Sequence, residues 1–219
     1  MIRPAMTFIF VLVGWIFSLC LHEFAHAAVA FLGGDTSVRE KGYLTFNPLR
    51  YVDPIASLFV PLVFLLLGGI GLPGGAVYID ARRLRSRWWA CAVALAGPAA
   101  NLAIAGVLVL VLSTGAMARN AAAPALAFLA LLQVTAVILN LLPVPPLDGY
   151  RALAAFLPRN LGATLDRWGS VPLFILLLLL WFVPQVSSWF WVATFRLAGA
   201  LGIPLALAGL GLREFRIFG

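Results

Sequence analysis

The sequence predicts an all-α polytopic membrane protein: about five full transmembrane helices, a re-entrant or partial hydrophobic segment over 55–72, and short membrane-associated β-strands. Three observations predict it. Hydrophobic residues fill 63% of the 219 positions and charged residues 11%, with a mean hydropathy of +1.03. A soluble domain of this size could not keep its surface wet with that composition. The apolar residues run in stretches near or above the ~20 needed to cross a hydrocarbon layer. Arginine and lysine, which give the chain its +7 net charge, gather between those stretches as they do in cytoplasmic loops. No nucleic-acid-binding motif accompanies the charge, so the expected partner is the lipid bilayer and not nucleic acid.

The elements follow in order. Met6–Leu32 is the first span. Its flank, with Arg3 ahead and AHA and AVA within, resembles a signal peptide, but its length and its polar residues predict an uncleaved helix. TSVREKGYLTF (36–46) alternates partly around Lys41-Gly42 and predicts a short β-hairpin. Ile55–Leu72 is apolar but interrupted by Pro61, Gly68, Gly69 and Gly71. LPGGAVYID (72–80) predicts a glycine turn and a second short strand at 75–79. Irregular backbone at this depth is tolerated only where protein or a water-filled cavity covers it. RRLRSR (82–87) reads as a positive-inside anchor before the next span, Trp88–Leu112. Ala121–Leu142 follows, then the proline-rich NLLPVPPLDG (140–149). Ser170–Val183, short but flanked by Trp168, Trp181 and Phe182, and Trp189–Leu212 complete the spans. Cys20 and Cys91 both lie in apolar runs and read as small buried hydrophobes. One membrane domain is expected over 1–219, with its core at about 6–151 and C-terminal spans at about 168–212.

The only two histidines, His22 and His26, stand four apart inside the first span with Glu23 between them. Residues i and i+4 share a helix face, so both imidazoles can reach one ion while Glu23 handles a proton. This is the H-E-x-x-H arrangement of zinc hydrolases. The plainer alternative is a hydrogen-bonded polar cluster between helices, but burying two His and a Glu in a span costs a few kcal/mol. A catalytic zinc takes three protein ligands and an open position. With no further histidine, the third ligand should be a carboxylate. Asp148 stands out among the acidic residues, at a point where Pro143, Pro145 and Pro146 break the helix. Residue type alone leaves Asp148 equally readable as a turn or helix cap.

HEFAH (22–26), AGPAAN (96–101) and NLLPVPPLDG (140–149), in this order, resemble the site-2 protease family of intramembrane zinc metalloproteases, in its compact bacterial type without PDZ or nucleotide-sensing CBS domain. The resemblance covers roughly Met6 to Arg151. It implies that His22, His26 and Asp148 bind one zinc per chain, that Glu23 is the general base, and that Asn140 acts in the catalytic site. It also implies that the LPGGAVYI strand lies near the substrate. Gly97, Pro98 and Asn101 read as close-packing and polar helix contacts near the site, because small residues let backbones approach and Asn can hydrogen-bond across helices. Tyr51, in NPLRYVDP, stands where many compact relatives carry histidine, and LPGGAVYI replaces their P-V-P element. Both departures bear on substrate handling and neither on the metal ligands.

A site divided between the first span and the end of Ala121–Leu142 requires those two helices to run the same way. Treating Ile55–Leu72 as re-entrant satisfies this. It places twelve of the fifteen Arg and Lys on one side, Arg3 and Arg119 on the other, and Arg196 within a span. The resemblance implies a bacterial inner membrane, and the charge split predicts the N-terminus outside with the active site and C-terminus toward the cytoplasm. The expected activity is zinc-dependent hydrolysis of peptide bonds in or near the membrane spans of transmembrane or membrane-tethered protein substrates. The rival reading is a non-proteolytic metal-binding membrane protein or transporter, which has little use for a glutamate directly after the first histidine.

Overall fold

The computed structural model describes residues 2–47, 77–114 and 120–216. Nine α-helices are found among them: α1 Ile2–Gly33, α2 Ser37–Glu40, α3 Arg87–Ser113, α4 Ala123–Asn140, α5 Asp148–Ala154, α6 Arg159–Asp166, α7 Val171–Phe182, α8 Pro184–Ala200 and α9 Leu205–Phe215. A 3₁₀ turn at Ala81–Arg83 precedes α3.

Helices α1, α3 and α4 are long and apolar enough to cross a membrane. The first is stopped by Gly34, whose φ of 117° is open to glycine. The Gly34 N–H returns to Phe31 O and the Asp35 N–H to Ala30 O, a Schellman closure that satisfies the last carbonyls. Ser86 caps α3 through its hydroxyl, and Pro124 opens α4 in its first turn, where a missing N–H costs nothing.

Helix α4 is the central post. It is buried on almost every side and meets α1, α3, α8 and α9. The alanines of α4 let its neighbours approach closely, packing with Ala105, Ala198 and Ala208 of α3, α8 and α9. Along α1, Val11 and Trp15 cluster with Ala125, Phe128 and Leu129 of α4. Farther on, the Gln133 amide donates to Ser18 Oγ at 3.0 Å. The contacts climb together, so α1 and α4 run parallel. Helix α3 runs against both, since its Val93 meets His26 and its Asn101 meets His22.

Three expectations are corrected. No hairpin forms over 36–46. The Asp35 carboxylate accepts from the Ser37 N–H and hydroxyl and starts one helical turn, α2. Gly42, at φ 74°, then closes it with its N–H on Arg39 O and the Tyr43 N–H on Val38 O. The second strand is also absent among the described residues: 77–80 takes no regular structure, and Val77 and Asp80 give their N–H groups to side chains. Residues 72–76 lie outside the described residues, as do Ile55–Leu72, Tyr51, Asp53 and Arg119.

The five-span expectation is corrected to three among the described residues. Trp189–Leu212 is two helices, α8 and α9, because Gly202 takes φ 82° and Pro204 cannot continue the ladder. The Gly202 N–H bonds Gly199 O and the Ile203 N–H bonds Ala198 O, ending α8 cleanly. Ser170–Val183 holds the 12-residue α7, about 18 Å long and short of a ~30 Å hydrocarbon layer. It meets α6 at a 61° bend and could make a fourth crossing only as a broken span with it.

Candidate metal centre

His22 and His26 lie one turn apart on α1 and point at α3. They fit because residue 97 is glycine: a Cβ there would collide with both imidazoles. Pro98 follows and leaves the Ala94 carbonyl, next to Val93, without its helical donor. His26 Nδ1 lies 2.6 Å from Val93 O, and His22 Nδ1 lies 3.3 Å from Asn101 Oδ1. A carbonyl oxygen only accepts, so His26 must donate from Nδ1, and the Asn101 amide, oriented oxygen-inward, sets the same tautomer on His22. In the neutral rings both Nε2 atoms then carry lone pairs. They face each other at 3.0 Å.

Asp148 arrives from the other half of the chain. After α4 ends at Asn140, the proline-rich turn reverses the backbone and α5 begins at Asp148. Gly149 makes this possible, since a Cβ at that position would run into the Leu141 carbonyl. The Asp148 carboxylate sits 3.3 Å from His22 Nε2 and 3.5 Å from His26 Nε2. Its Oδ2 is buried without a hydrogen-bond partner.

Three electron-rich groups thus converge, each offering a ligand atom within 4.8 Å of the others. All three are buried. Donors held 2.0–2.1 Å from a tetrahedral centre stand roughly 3.3 Å apart; the two Nε2 atoms are 3.0 Å apart, and the nearest Asp148 oxygens are Oδ2 at 3.3 Å from His22 and Oδ1 at 3.5 Å from His26, close to that figure. A shared proton would satisfy one pair, whereas a cation would satisfy all three. The residues fit a zinc ion, with both Nδ1 atoms anchored by outer partners as metal-bound histidines require.

The other two expected site residues are also buried. Asn140 lines a cavity of about 20 Å³ with His22, Asn101, Gln133, Ser18 and Trp15. Glu23 turns toward the 77–80 segment, where the Val77 N–H donates to its Oε2 at 3.2 Å. Sequence reasoning missed Asp35 and Gln133, and placed Val77 only within the strand near the substrate, not on Glu23. An amide in the middle of an apolar span was an available signal for Gln133, since such groups seek partners in a bilayer. A backbone N–H leaves no signal in sequence.

Two titratable groups outside the spans are shifted by their neighbours. Arg82 holds the Asp80 carboxyl below the usual carboxylate range by hydrogen bonding from its side chain and backbone. Burial, with the neighbouring Asp166 carboxylate, pushes the Tyr150 phenol up to about 12.

The chain is 43% identical over 209 residues to a candidate zinc metalloprotease named Rip2 from Mycolicibacterium smegmatis. It is 42% identical over 213 residues to the Rip2 of Mycobacterium tuberculosis. Each match covers 93% of this chain and 78% of the relative. A candidate zinc metalloprotease of Bacillus subtilis, YwhC, is 32% identical over 188 aligned residues, a match that covers 80% of this chain and 81% of that protein. No family profile and no solved structure matches the chain.

Proposed function

The chain belongs to the site-2 protease family, and on that premise we propose that it is an intramembrane zinc metalloprotease that hydrolyses peptide bonds in or near the membrane spans of its substrates. One observation carries the reading: His22, His26 and Asp148 converge with both outer imidazole nitrogens already committed. His22 Nε2, His26 Nε2 and an Asp148 oxygen would hold the zinc. When bound, the metal supplies Lewis acidity to the scissile carbonyl and to the attacking water.

Glu23 would take a proton from the attacking water and return it to the departing amine nitrogen. Its Oε2 accepts the Val77 N–H, which leaves the other oxygen the less encumbered one to take the proton. Asn140, on the His22 side of the site, orients the substrate backbone or steadies the developing oxyanion through its amide. The substrates are transmembrane or membrane-tethered proteins, whose helices must unwind locally to present a peptide bond.

Purified wild type and Glu23→Gln, incubated with a membrane-spanning test substrate while bound zinc is measured, test this directly. The variant should lose at least about 100-fold in cleavage and retain its zinc; His22→Ala should lose both. Undiminished cleavage by Glu23→Gln would sink the mechanism, and wild type that binds metal without cleaving would return the non-proteolytic reading.

A further inference from the structure

Asp35 is a carboxylate with no exposed surface, in no motif, twelve residues beyond Glu23. A buried carboxylate is costly unless hydrogen-bonded, and this one accepts three hydrogen bonds. Oδ1 takes the Ser37 N–H at 3.1 Å and the Ser37 hydroxyl at 2.6 Å. Oδ2 takes the Asp80 N–H at 2.7 Å. The first two stay within the turn after α1. The third reaches 45 residues along the chain and ties down one end of the segment whose other end touches Glu23.

That segment lies along the last turns of α1. Val77 and Ile79 pack with Ala27, Ala30 and Val38. The Lys41 ammonium donates to Tyr78 O at 3.0 Å and sits 4.8 Å over the Tyr78 ring. Val77 and Asp80 are three residues apart, a reach of at most about 10 Å. Moving the Asp80 amide therefore moves the Val77 amide. Asp35 is itself fixed by the closure at Gly34, where a Cβ would press on Arg83 O. The two hydrogen bonds at the ends of 77–80 thus come from α1 and the turn that ends it, and Lys41 after α2 holds the middle.

We propose that Asp35 is a positioning residue for Glu23: by anchoring the Asp80 N–H it holds the Val77 N–H on Glu23 Oε2 and so fixes the orientation of the carboxylate. The proposal rests on the reading of Glu23 as the general base. A carboxylate free to turn about its last torsion presents its proton-accepting oxygen only part of the time. Misplacement by about 1 Å can cost on the order of 100-fold in rate.

The test compares wild type with Asp35→Asn and Asp35→Ala in the full-length, zinc-loaded protein. Three quantities are read: bound zinc, kcat and KM for a membrane-spanning substrate, and backbone hydrogen exchange of the peptide over 77–80. Asp35→Asn, which keeps one acceptor oxygen, should retain a full complement of zinc and a KM within about two-fold. Its kcat should fall about 10-fold and its 77–80 exchange should quicken; Asp35→Ala should do both more strongly, up to about 100-fold in kcat. If Asp35→Ala does not fold, Asp35→Asn alone carries the comparison. Unchanged exchange at 77–80, or loss of zinc in parallel with loss of cleavage, would overturn the proposal and leave Asp35 a folding residue. Hydrogen exchange needs no proteolysis, so a wild type that never cleaves would discard the base reading while exchange still decides whether Asp35 holds Val77.

Discussion

At the scale of single residues, the outer partners of the two histidines decide how the centre is held. Asn101 fixes His22 through Nδ1 at 3.3 Å, and such partners are worth 10–100-fold in metal affinity. Asn101→Leu should therefore weaken zinc binding by about that factor with the fold intact, as competition against a chelator would measure. Unchanged affinity would mean that His22 is oriented by packing alone. His26 depends on a main-chain carbonyl, Val93 O, so its partner cannot be removed by changing a side chain. Gly97→Ala instead places a methyl group against both rings.

At the scale of elements, close approach between backbones sets the position of the third group. Helix α5 begins with Asp148, and Gly149 lies against the Leu141 carbonyl at the end of α4. Gly149→Ala should push α5 outward. Expected are a drop in zinc stoichiometry and a loss of stability of about 1–3 kcal/mol, the usual range for overpacking, read as a lower melting temperature. Full zinc occupancy in this variant would show that Asp148 is placed by the proline turn and not by the contact of α5 with α4. The glycine was legible in the sequence only as half of an Asp-Gly turn, because its requirement comes from a neighbouring helix end. The same limit explains the missed turn at 36–46. Its alternation suggested strand pairing, but Asp35 and Gly42 supply a start and a stop for a helical turn, and local caps won.

At the scale of the whole molecule, α4 gathers the other long helices and the centre forms where α1, α3 and the turn after α4 meet. A metal bound to the folded chain stabilises it by mass action, about 2.7 kcal/mol at a free concentration 100-fold above Kd. Chelation should lower the melting temperature and zinc should restore it; a melting temperature indifferent to chelator would argue against a metal joining α1 to α5. We further propose that this end of the molecule faces the cytoplasm. The Arg85 N–H bonds Gly33 O at the end of α1, and Arg82, Arg83, Arg85 and Arg87 are all exposed there, as a positive-inside anchor would be. A cysteine placed at Arg83 should react with an impermeant thiol reagent only when the cytoplasmic face is open, and labelling from outside would reverse the orientation.

The amino-acid sequence by itself determined the membrane class, the three long helices, and the pairing of His22 with His26. All three depend on spacing along one chain, which the 3.6-residue helix period and the thickness of a bilayer convert directly into geometry. It overcounted spans because apolar length was weighed ahead of Gly202 and Pro204, which sever the last stretch into α8 and α9. Only the tertiary structure decided that the Asp148 carboxylate stands within 3.5 Å of both imidazoles, that Val93 O and Asn101 leave both Nε2 atoms free, and that Asp35 and Glu23 grip the same short segment. Those relations join backbone atoms and side chains from 45 to more than 100 residues apart. They exist only when α1, α3 and α4 have packed.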